Sequence, residues 1–270
     1  MDWERAKTQM IYVFIILNIF LGAMLYIRNR NSVKDFDVAE ILNKNNITID
    51  AKIPKPAKYR GRELEYKVFT KEEIIELFFD VPRNEGNDEL RVFFEDKKML
   101  SLIQGKTLKY TDEPKGEDII NSIEEAIDFA NAFLKDKLSN IDYKLTRSEI
   151  KYDKFTLEYE QYDKKTGLIL EDAYINLQLN NKGITNLDMK IFNSINVLDN
   201  KLSMSDPKRK LLKIINMPGV DGRTITDVEI CYSFDPKNIP YVNNPDKVLS
   251  GVASLALRLR LDNGLVIIIE

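Results

Sequence analysis

Residues 253–270, ASLALRLRLDNGLVIIIE, carry the clearest strand pattern in the sequence. Leucines occupy every second position from Leu255 to Leu261, and the positions between them hold small or charged residues such as Arg258. This period of two is typical of a strand with one face in a core and one face in water. We therefore predict that the chain ends within a β-sheet, with the leucines buried and Arg258 exposed.

The dipeptide Asn263-Gly264 follows this strand and predicts a type I′ hairpin turn, because both of its residues tolerate a positive φ. An earlier segment, residues 155–192, has the same form of alternating strands separated by turn sequences. Its turns are expected at KKTG (164–167) and NNKG (180–183). Residues 155–192 are thus predicted to form an antiparallel meander.

Three helices are predicted from their start signals. Two of these signals fit a capping box, in which a hydroxyl and a carboxylate satisfy each other's free backbone amides. The third combines a capping residue with a proline in the first turn. The signals are Thr70 with Glu73, Ser122 with Glu125, and Ser205 or Asp206 before Pro207.

Helices and strands alternate along the chain in repeated units. A helix over residues 122–138 precedes strands up to about residue 194, and a helix over 206–216 precedes strands to the C-terminus. Residues 70–110 resemble a shorter version of the same unit. We predict an α+β fold of repeated helix-plus-antiparallel-meander units, divided into a first lobe at 61–199 and a second lobe at 200–270.

Composition excludes several classes of function. The 270 residues carry a formal net charge of -3, so the sequence predicts no basic surface for nucleic acid. Histidine is absent, which excludes Ser-His-Asp and Cys-His catalysis and histidine-ligated zinc. The single cysteine, Cys231, cannot form an internal disulfide and is interpreted as a structural residue.

No pattern of residues predicts an active site, a metal site or a cofactor. Glu158 and Glu160 share one face of a predicted strand and resemble a glycosidase pair, but their alternation with apolar residues favours a solvated face. The sequence GKT at 105–107 lacks the first glycine of a phosphate-binding loop. We therefore predict that the protein is not an enzyme.

The N-terminal region contains an apolar segment. Residues 10–27 carry no charge and, as a helix, would be about 27 Å long, close to the hydrocarbon thickness of a bilayer. The run exceeds the apolar core of a signal peptide and lacks a clear cleavage site. It is predicted to be an uncleaved membrane anchor, with residues 1–9 cytoplasmic, residues 28–60 a tether, and the remainder exported.

One face of this predicted anchor suits another helix. Its residues follow helical spacing, and a central amide and a small residue lie one turn apart. Asparagine is costly in hydrocarbon without a partner, so the amide favours contact with a second membrane helix. The predicted contact residues are Ile11, Ile15, Asn18, Gly22 and Leu25.

The N-terminal sequence resembles the YycI family. The resemblance lies in MDW at residues 1–3, Lys7, FIILNIFL at 14–21, and AEILNKNNITIDAKIPKP at 39–56. It implies a single-pass regulator of the WalK/WalR (YycG/YycF) two-component system in Gram-positive bacteria. It also implies two partners, a WalK-like sensor histidine kinase in the membrane and a YycH-like sister protein.

Two functions follow as alternatives. In the first, the anchor helix contacts the kinase and the exported domain pairs with the sister protein. In the second, the helix is passive, and the exported α+β domain alone acts as an envelope-binding or inhibitor module. Whether the regulator activates or inhibits the kinase does not follow from the sequence.

Overall fold

The computed structural model describes residues 3–31, 37–79, 92–238 and 243–270. The α-helices are α1 Trp3–Asn31, α2 Val38–Lys44, α3 Lys71–Phe78, α4 Ile123–Lys137 and α5 Pro207–Leu211. Short 3-10 helices follow at η1 Leu212–Asn216, η2 Pro236–Asn238 and η3 Pro245–Lys247. The strands are β1 Thr48–Ile49, β2 Ala57–Tyr66, β3 Val92–Glu95, β4 Lys98–Ile103, β5 Thr107–Thr111, β6 Tyr143–Lys151, β7 Lys154–Tyr162, β8 Ile169–Asn180, β9 Gly183–Lys190, β10 Phe192–Met204, β11 Thr224–Ser233, β12 Ser250–Leu261 and β13 Val266–Ile269.

The strands join into one branched sheet. Its main path runs β10-β2-β12-β11-β8-β9-β5-β4-β3, with β7 on β8, β6 on β7, β13 on β12 and β1 on β11. Most neighbours are antiparallel, whereas β11 pairs in parallel with both β8 and β1. The predicted α+β class is confirmed, and each predicted helix is followed by antiparallel strands.

Among the described residues, two large hydrophobic cores form beside a small third cluster of Ile169, Cys231 and Ala256. The first core lies between helices α3 and α4 and strands β4 to β9. Its helix α4 buries Ala126, Ala130 and Leu134, which lie on one face at helical spacing. A helix laid across an antiparallel meander thus closes this core.

The second core joins the C-terminal strands to segments from much earlier in the chain. Leucines 255, 257, 259 and 261 of β12 are buried here together with Val38 and Leu42 of α2. Tyr66 of β2 and Phe192 of β10 stack with their ring centroids 4.5 Å apart. Residues 38–66, within and just beyond the predicted tether, therefore pack into a core with the end of the chain. The predicted lobe boundary near residue 199 stays a prediction.

The predicted helix starts are confirmed. Thr70 and Glu73 form a complete capping box: the Glu73 amide donates to Thr70 Oγ1 at 3.2 Å, and the Thr70 amide donates to Glu73 Oε2 at 3.0 Å. Ser122 caps α4 by accepting from the Glu125 amide, but the Glu125 carboxylate accepts from the Asn121 amide and not from that of Ser122, so the predicted capping box is incomplete there. Asp206 caps α5, which continues as the 3-10 turn η1.

The C-terminal hairpin forms between β12 and β13, with a different turn from the predicted one. Gly264 has a φ of 83°, while Asn263 is not among the described residues with positive φ. The Gly264 amide donates to the Leu261 carbonyl, so Asp262 and Asn263 are the central residues. Only Gly264 adopts the left-handed conformation, as in a type I turn followed by a bulge, because the loop is longer than two residues.

Helix α1 is apolar and exposed on all sides along residues 10–24. Within the residues that the structure describes, no helix combines the length and apolar character required to cross a membrane. The predicted segments 1–9, 10–27 and 28–60 stay predictions.

Two glycines in the second core provide a test of its packing. A Cβ at either glycine would overlap a neighbour: at Gly251 the ring of buried Phe234, and at Gly61 the amide end of the exposed Asn200 side chain, which can move aside. Gly251→Ala is therefore expected to lower the free energy of unfolding by about 1–3 kcal/mol. Gly61→Ala is expected to stay within about 0.5 kcal/mol of the unmodified protein. Urea unfolding measures both, and equal effects would contradict the close packing at Gly251.

Candidate functional site

A buried ion pair connects the two cores. Arg62 of β2 donates through Nη2 to Asp163 at 2.7 Å, and only 2% and 6% of the two side chains are exposed. Thr166 donates to the same carboxylate at 2.7 Å, and the Arg62 guanidinium lies 5.3 Å from the centre of the Tyr232 ring. Asp163 begins the β7–β8 turn, so this pair fixes strand β2 against the first core.

Gln161 makes a second connection beside it. Its side-chain amide donates to the Phe192 carbonyl at 2.9 Å, and its oxygen accepts from the Phe192 amide at 2.7 Å. Both residues are buried, so each donor and acceptor has its partner away from water. Strand β7 is thereby held to the start of β10.

Arg258 forms the third and largest connection. Only 4% of its side chain is exposed, and it contacts three carboxylates, those of Glu160, Glu171 and Glu229. The Nε–Glu171 distance is 3.2 Å and the Nη1–Glu229 distance is 2.9 Å, while Nη2 donates to Glu160. These four residues, the Arg258 cluster, come from β7, β8, β11 and β12 and lie where the two cores meet.

The Arg258 cluster contains more negative than positive groups. Burial raises the pKa of the Glu160 and Glu171 carboxyls above the usual value, although Arg258 opposes the shift. Among the described residues, Glu160 Oε2 is a buried side-chain oxygen with no hydrogen-bond partner. The cost of desolvating Glu160 therefore offsets part of its attraction to arginine.

A cleft of about 600 Å³ opens beside this junction. Its first wall consists of the β4–β5 turn with the adjoining ends of β8 and β9, and its second wall consists of η2, η3 and the ends of β11 and β13. The charged residues of the first wall are Lys106, Lys190, Glu171 and Asp172, and those of the second wall are Lys237, Asp235, Asp246 and Glu270. A volume of this size falls in the range of small-molecule sites.

Tyr66 holds the charged residues of the first wall of the cleft in place. Its hydroxyl donates to Asp172 Oδ2 at 2.6 Å, and burial raises its pKa. The ammonium groups of Lys106 and Lys190 lie 4.7 and 5.5 Å from its ring centroid. Lys190 also pairs with Asp172, whose φ of 72° is unusual for a residue other than glycine. Backbone strain of this kind concentrates at functional sites.

The predicted contact residues of the anchor lie on helix α1. Ile11, Ile15, Asn18 and Gly22 are exposed, and the side chain of Leu25 lies outside the described residues. Asn18 Nδ2 donates to the Phe14 carbonyl at 3.0 Å within the helix itself. Its donor is thus satisfied locally, which lowers the cost of placing an amide in apolar surroundings.

The residues that the sequence analysis considered for catalysis or metal binding have the following surroundings in the structure. Cys231 is buried, and burial raises the pKa of its thiol, as expected for a structural cysteine. Glu158 keeps 30% of its side chain exposed and pairs with Arg147, but Glu160 keeps only 14%. The solvated-face interpretation is therefore wrong for Glu160. Within the described part of the chain, no group of three or more acidic or cysteine side chains has the geometry to hold a metal ion.

Sequence reasoning missed the polar groups of the junction and cleft. Arg62, Lys106 and Arg258 are single charged residues in strands or turns, a pattern that is typical of solvent-facing positions. Their partners lie far along the chain: Asp163 is 101 positions from Arg62, and Glu160 is 98 positions from Arg258. The sequence signal that could have indicated the buried charge is the position of Arg258 between leucines in a strand that has neighbours on both sides.

Comparison with solved structures shows what the fold resembles. YycH from Bacillus subtilis matches with a TM-score of 0.55 and 11% identity, over 80% of this chain and 52% of YycH. The chain thus spans about half the length of that protein. An uncharacterized protein from Eubacterium rectale matches with a TM-score of 0.49 and 9% identity, over 83% of this chain and 86% of the other. The C-terminal domain of Bacillus megaterium YpeB gives 0.39 and 11%, over 74% and 96%.

Comparison with sequences identifies the family. No curated protein matches the chain. The family model described as YycI protein matches residues 28–246, which include the first core and most of the residues that line the cleft. Because this match covers well over half of the sequence, the chain belongs to the YycI family.

Proposed function

We propose that this protein is a non-enzymatic, membrane-anchored regulator of a WalK-like sensor histidine kinase of the cell envelope. Membership of the YycI family supports this role. The observation that carries it is helix α1, whose residues 10–24 are all exposed although most are apolar. An apolar surface that the chain does not cover itself requires another apolar environment.

The bilayer is the proposed environment for this helix. The uncharged run continues in sequence from Met10 to Ile27, long enough to span the hydrocarbon as a helix. We place residues 1–9 in the cytoplasm and the α+β domain outside, and membership of a family of membrane-anchored regulators supports this topology. The protein is then a single-pass protein of the cell membrane.

A contact between membrane helices is the proposed route of regulation. The Asn18 donor bonds the Phe14 carbonyl, which leaves Asn18 Oδ1 as the acceptor available to a donor on a second helix. Gly22 has no atom within 4 Å of an added Cβ, so a partner backbone can approach closely there. Such a contact shifts the equilibrium between two conformations of the kinase only to the extent that the helix binds one conformation more tightly than the other.

The exported domain is proposed to pair with a YycH-like protein. The family relationship supports this partner. The buried connections at Arg62, Gln161 and Arg258 join the two cores, so we expect the domain to meet its partner as one rigid body. A partner bound outside the membrane then restrains the orientation of the anchor.

The second candidate is an anchored binding or inhibitor module with a passive helix. The cleft between the cores favours it, because a volume of about 600 Å³ with charged walls is suited to a ligand. In that case α1 serves only to hold the domain at the membrane surface.

Photo-crosslinking in living cells tests the first proposal. A crosslinking residue is placed at position 18, with position 20 as control, because Phe20 lies on the opposite face of the helix and is equally exposed. Capture of a histidine kinase from position 18, but not from position 20, is the expected result. Capture of lipid alone from both positions would contradict a specific helix contact and favour the passive anchor.

A further inference from the structure

We propose that a basic face on strands β2 and β10 lies against the outer surface of the bilayer and binds anionic phospholipid headgroups. The basic face consists of Lys58, Arg60 and Lys201, whose side chains are all exposed. This inference rests on the proposed membrane anchor and adds an electrostatic contact to it. It does not depend on whether α1 contacts the kinase.

Positive charge is concentrated in the two segments that meet at this face. Residues 51–60 and 201–213 contain nine lysines and arginines and one acidic residue, Asp206, although the whole chain has a formal net charge of -3. The two segments are brought together because β2 and β10 pair antiparallel, with Lys58 opposite Ser203. The nine cations are Lys52, Lys55, Lys58, Arg60, Lys201, Lys208, Arg209, Lys210 and Lys213.

Arg60 and Lys201 lie directly opposite each other on the paired strands. Like charges at directly opposed positions destabilise a sheet. Among the described residues, no carboxylate forms an ion pair with either side chain, and the carboxylate of Asp163 pairs with Arg62 instead. A phosphate group from outside the protein would relieve this repulsion through charge-assisted hydrogen bonds. The basic face therefore gains from binding an anion.

Carboxylates on neighbouring segments do not cancel this charge. Asp206 caps α5 by accepting from the Arg209 amide at 3.0 Å. Glu40 of α2 pairs with Lys44 at 2.7 Å. Asp199 lies in the bulge of β10, outside the paired positions that carry the basic face. The cations of the two segments outnumber these carboxylates, so the surface keeps a positive potential.

The charge changes sign along β2. Lys58 and Arg60 lie near its start, whereas Glu63 and Glu65 lie near its end, opposite residues of β12 and β10. An anionic surface attracts the start of the strand and repels its end. Charge complementarity therefore favours an orientation in which the start of β2 faces the bilayer.

The anchor is connected to this same end of the domain. Helix α1 ends at Asn31 and the cap of α2 is Asp37, so the chain between them spans at most about 22 Å. Helix α2 packs against α5 and η1, and α5 follows closely after the end of β10. Charges attract an anionic surface only within about 10 Å at moderate ionic strength, and the short connection permits this approach.

Fluorescence quenching of the full-length chain in lipid nanodiscs tests the proposal. Native Cys231 is buried, so a fluorophore attaches selectively to Ser203→Cys, which lies opposite Lys58. Lipids with a nitroxide on the headgroup are expected to quench this label at least about threefold more strongly when phosphatidylglycerol makes up about 30% of a phosphatidylcholine disc than when it is absent. Sodium chloride at about 0.5 M is expected to remove the difference, because it screens the attraction.

Charge variants identify the residues responsible. Arg60→Gln combined with Lys201→Gln is expected to reduce quenching in the phosphatidylglycerol discs to the level in phosphatidylcholine. The matched control, Lys154→Gln combined with Lys182→Gln, removes the same charge from exposed positions in the first half of the sheet and is expected to change nothing. The salt dependence is measured without these charge substitutions, so the test holds even if a charge variant fails to fold.

Two outcomes would overturn this inference alone. The first is equal quenching at position 203 in both kinds of disc, while a label at Phe20→Cys is quenched by nitroxides on the acyl chains. The second is a Lys201-dependent response of the label to dissolved inorganic polyphosphate, with none to phosphatidylglycerol, which would indicate a surface for a soluble polyanion. Absence of acyl-chain quenching at position 20 would instead contradict the anchor, and this inference with it.

Discussion

Arg258→Met is expected to lower the free energy of unfolding by about 3–5 kcal/mol, the largest effect on stability that we predict. Methionine replaces the apolar part of the arginine side chain with one of similar volume. It removes the guanidinium cation, which contacts three carboxylates. Those carboxylates remain close together without their cation, and Glu160 and Glu171 among them are partly desolvated by burial. Urea unfolding of the full-length chain in detergent measures the loss.

Glu160→Gln is the matched control for this variant. It removes one of the three anions from the same cluster, and burial already opposes that charge. We expect a change in unfolding free energy of less than about 1 kcal/mol, because the lost attraction and the removed desolvation cost nearly cancel. Equal effects of Arg258→Met and Glu160→Gln would contradict a buried cluster centred on arginine.

The loss in Arg258→Met is expected to depend on pH. Without the cation, the pKa values of the Glu160 and Glu171 carboxyls rise further above their values in the unfolded chain. The folded state then binds more protons than the unfolded state between those two pKa values, so stability increases as the pH falls. The destabilisation is therefore smaller at about pH 5 than at pH 7. A destabilisation that grows on acidification would contradict this assignment.

Replacing residues 10–27 by an unrelated apolar helix is expected to abolish regulation of the kinase. The replacement keeps the length and hydrophobicity of the segment but removes the face formed by Ile11, Ile15, Asn18, Gly22 and Leu25. A kinase-dependent transcriptional reporter measures the loss in living cells. Membrane fractionation and protein level are expected to stay unchanged, which separates loss of contact from loss of anchoring.

Asn18→Leu tests the same face of the helix by removing one side-chain amide. One hydrogen bond between membrane helices contributes about 0.6–2 kcal/mol, so association is expected to weaken by about 3- to 30-fold. Phe20→Leu, on the opposite face, is the matched control and is expected to have no effect. If the protein with residues 10–27 replaced still regulates the kinase fully, the binding module is favoured, with its cleft as the functional site.

Local patterns in the sequence were sufficient for the elements and their class. The cap at Thr70 depends on residues three positions apart, and the strand leucines from Leu255 to Leu261 show their common face by alternation alone. These interactions are short in range, so the chain displays them directly. The type of the hairpin turn at Gly264 was predicted wrongly, because loop length depends on where the paired strands end.

The site depended on contacts that no local pattern contains. Alternation placed Arg258 on the face opposite the leucines, but only the pairing of β12 with β11, and of β11 with β8, brings three carboxylates over that face. A strand pattern shows which residues share a face and not what covers it. The apolar run at residues 10–27 and the α+β class were therefore determined by sequence alone. The burial of Arg258, the junction at Arg62 and the cleft at Lys106 were decided by tertiary structure, because their partners Glu160, Asp163 and Val248 lie 98, 101 and 142 positions away in the sequence.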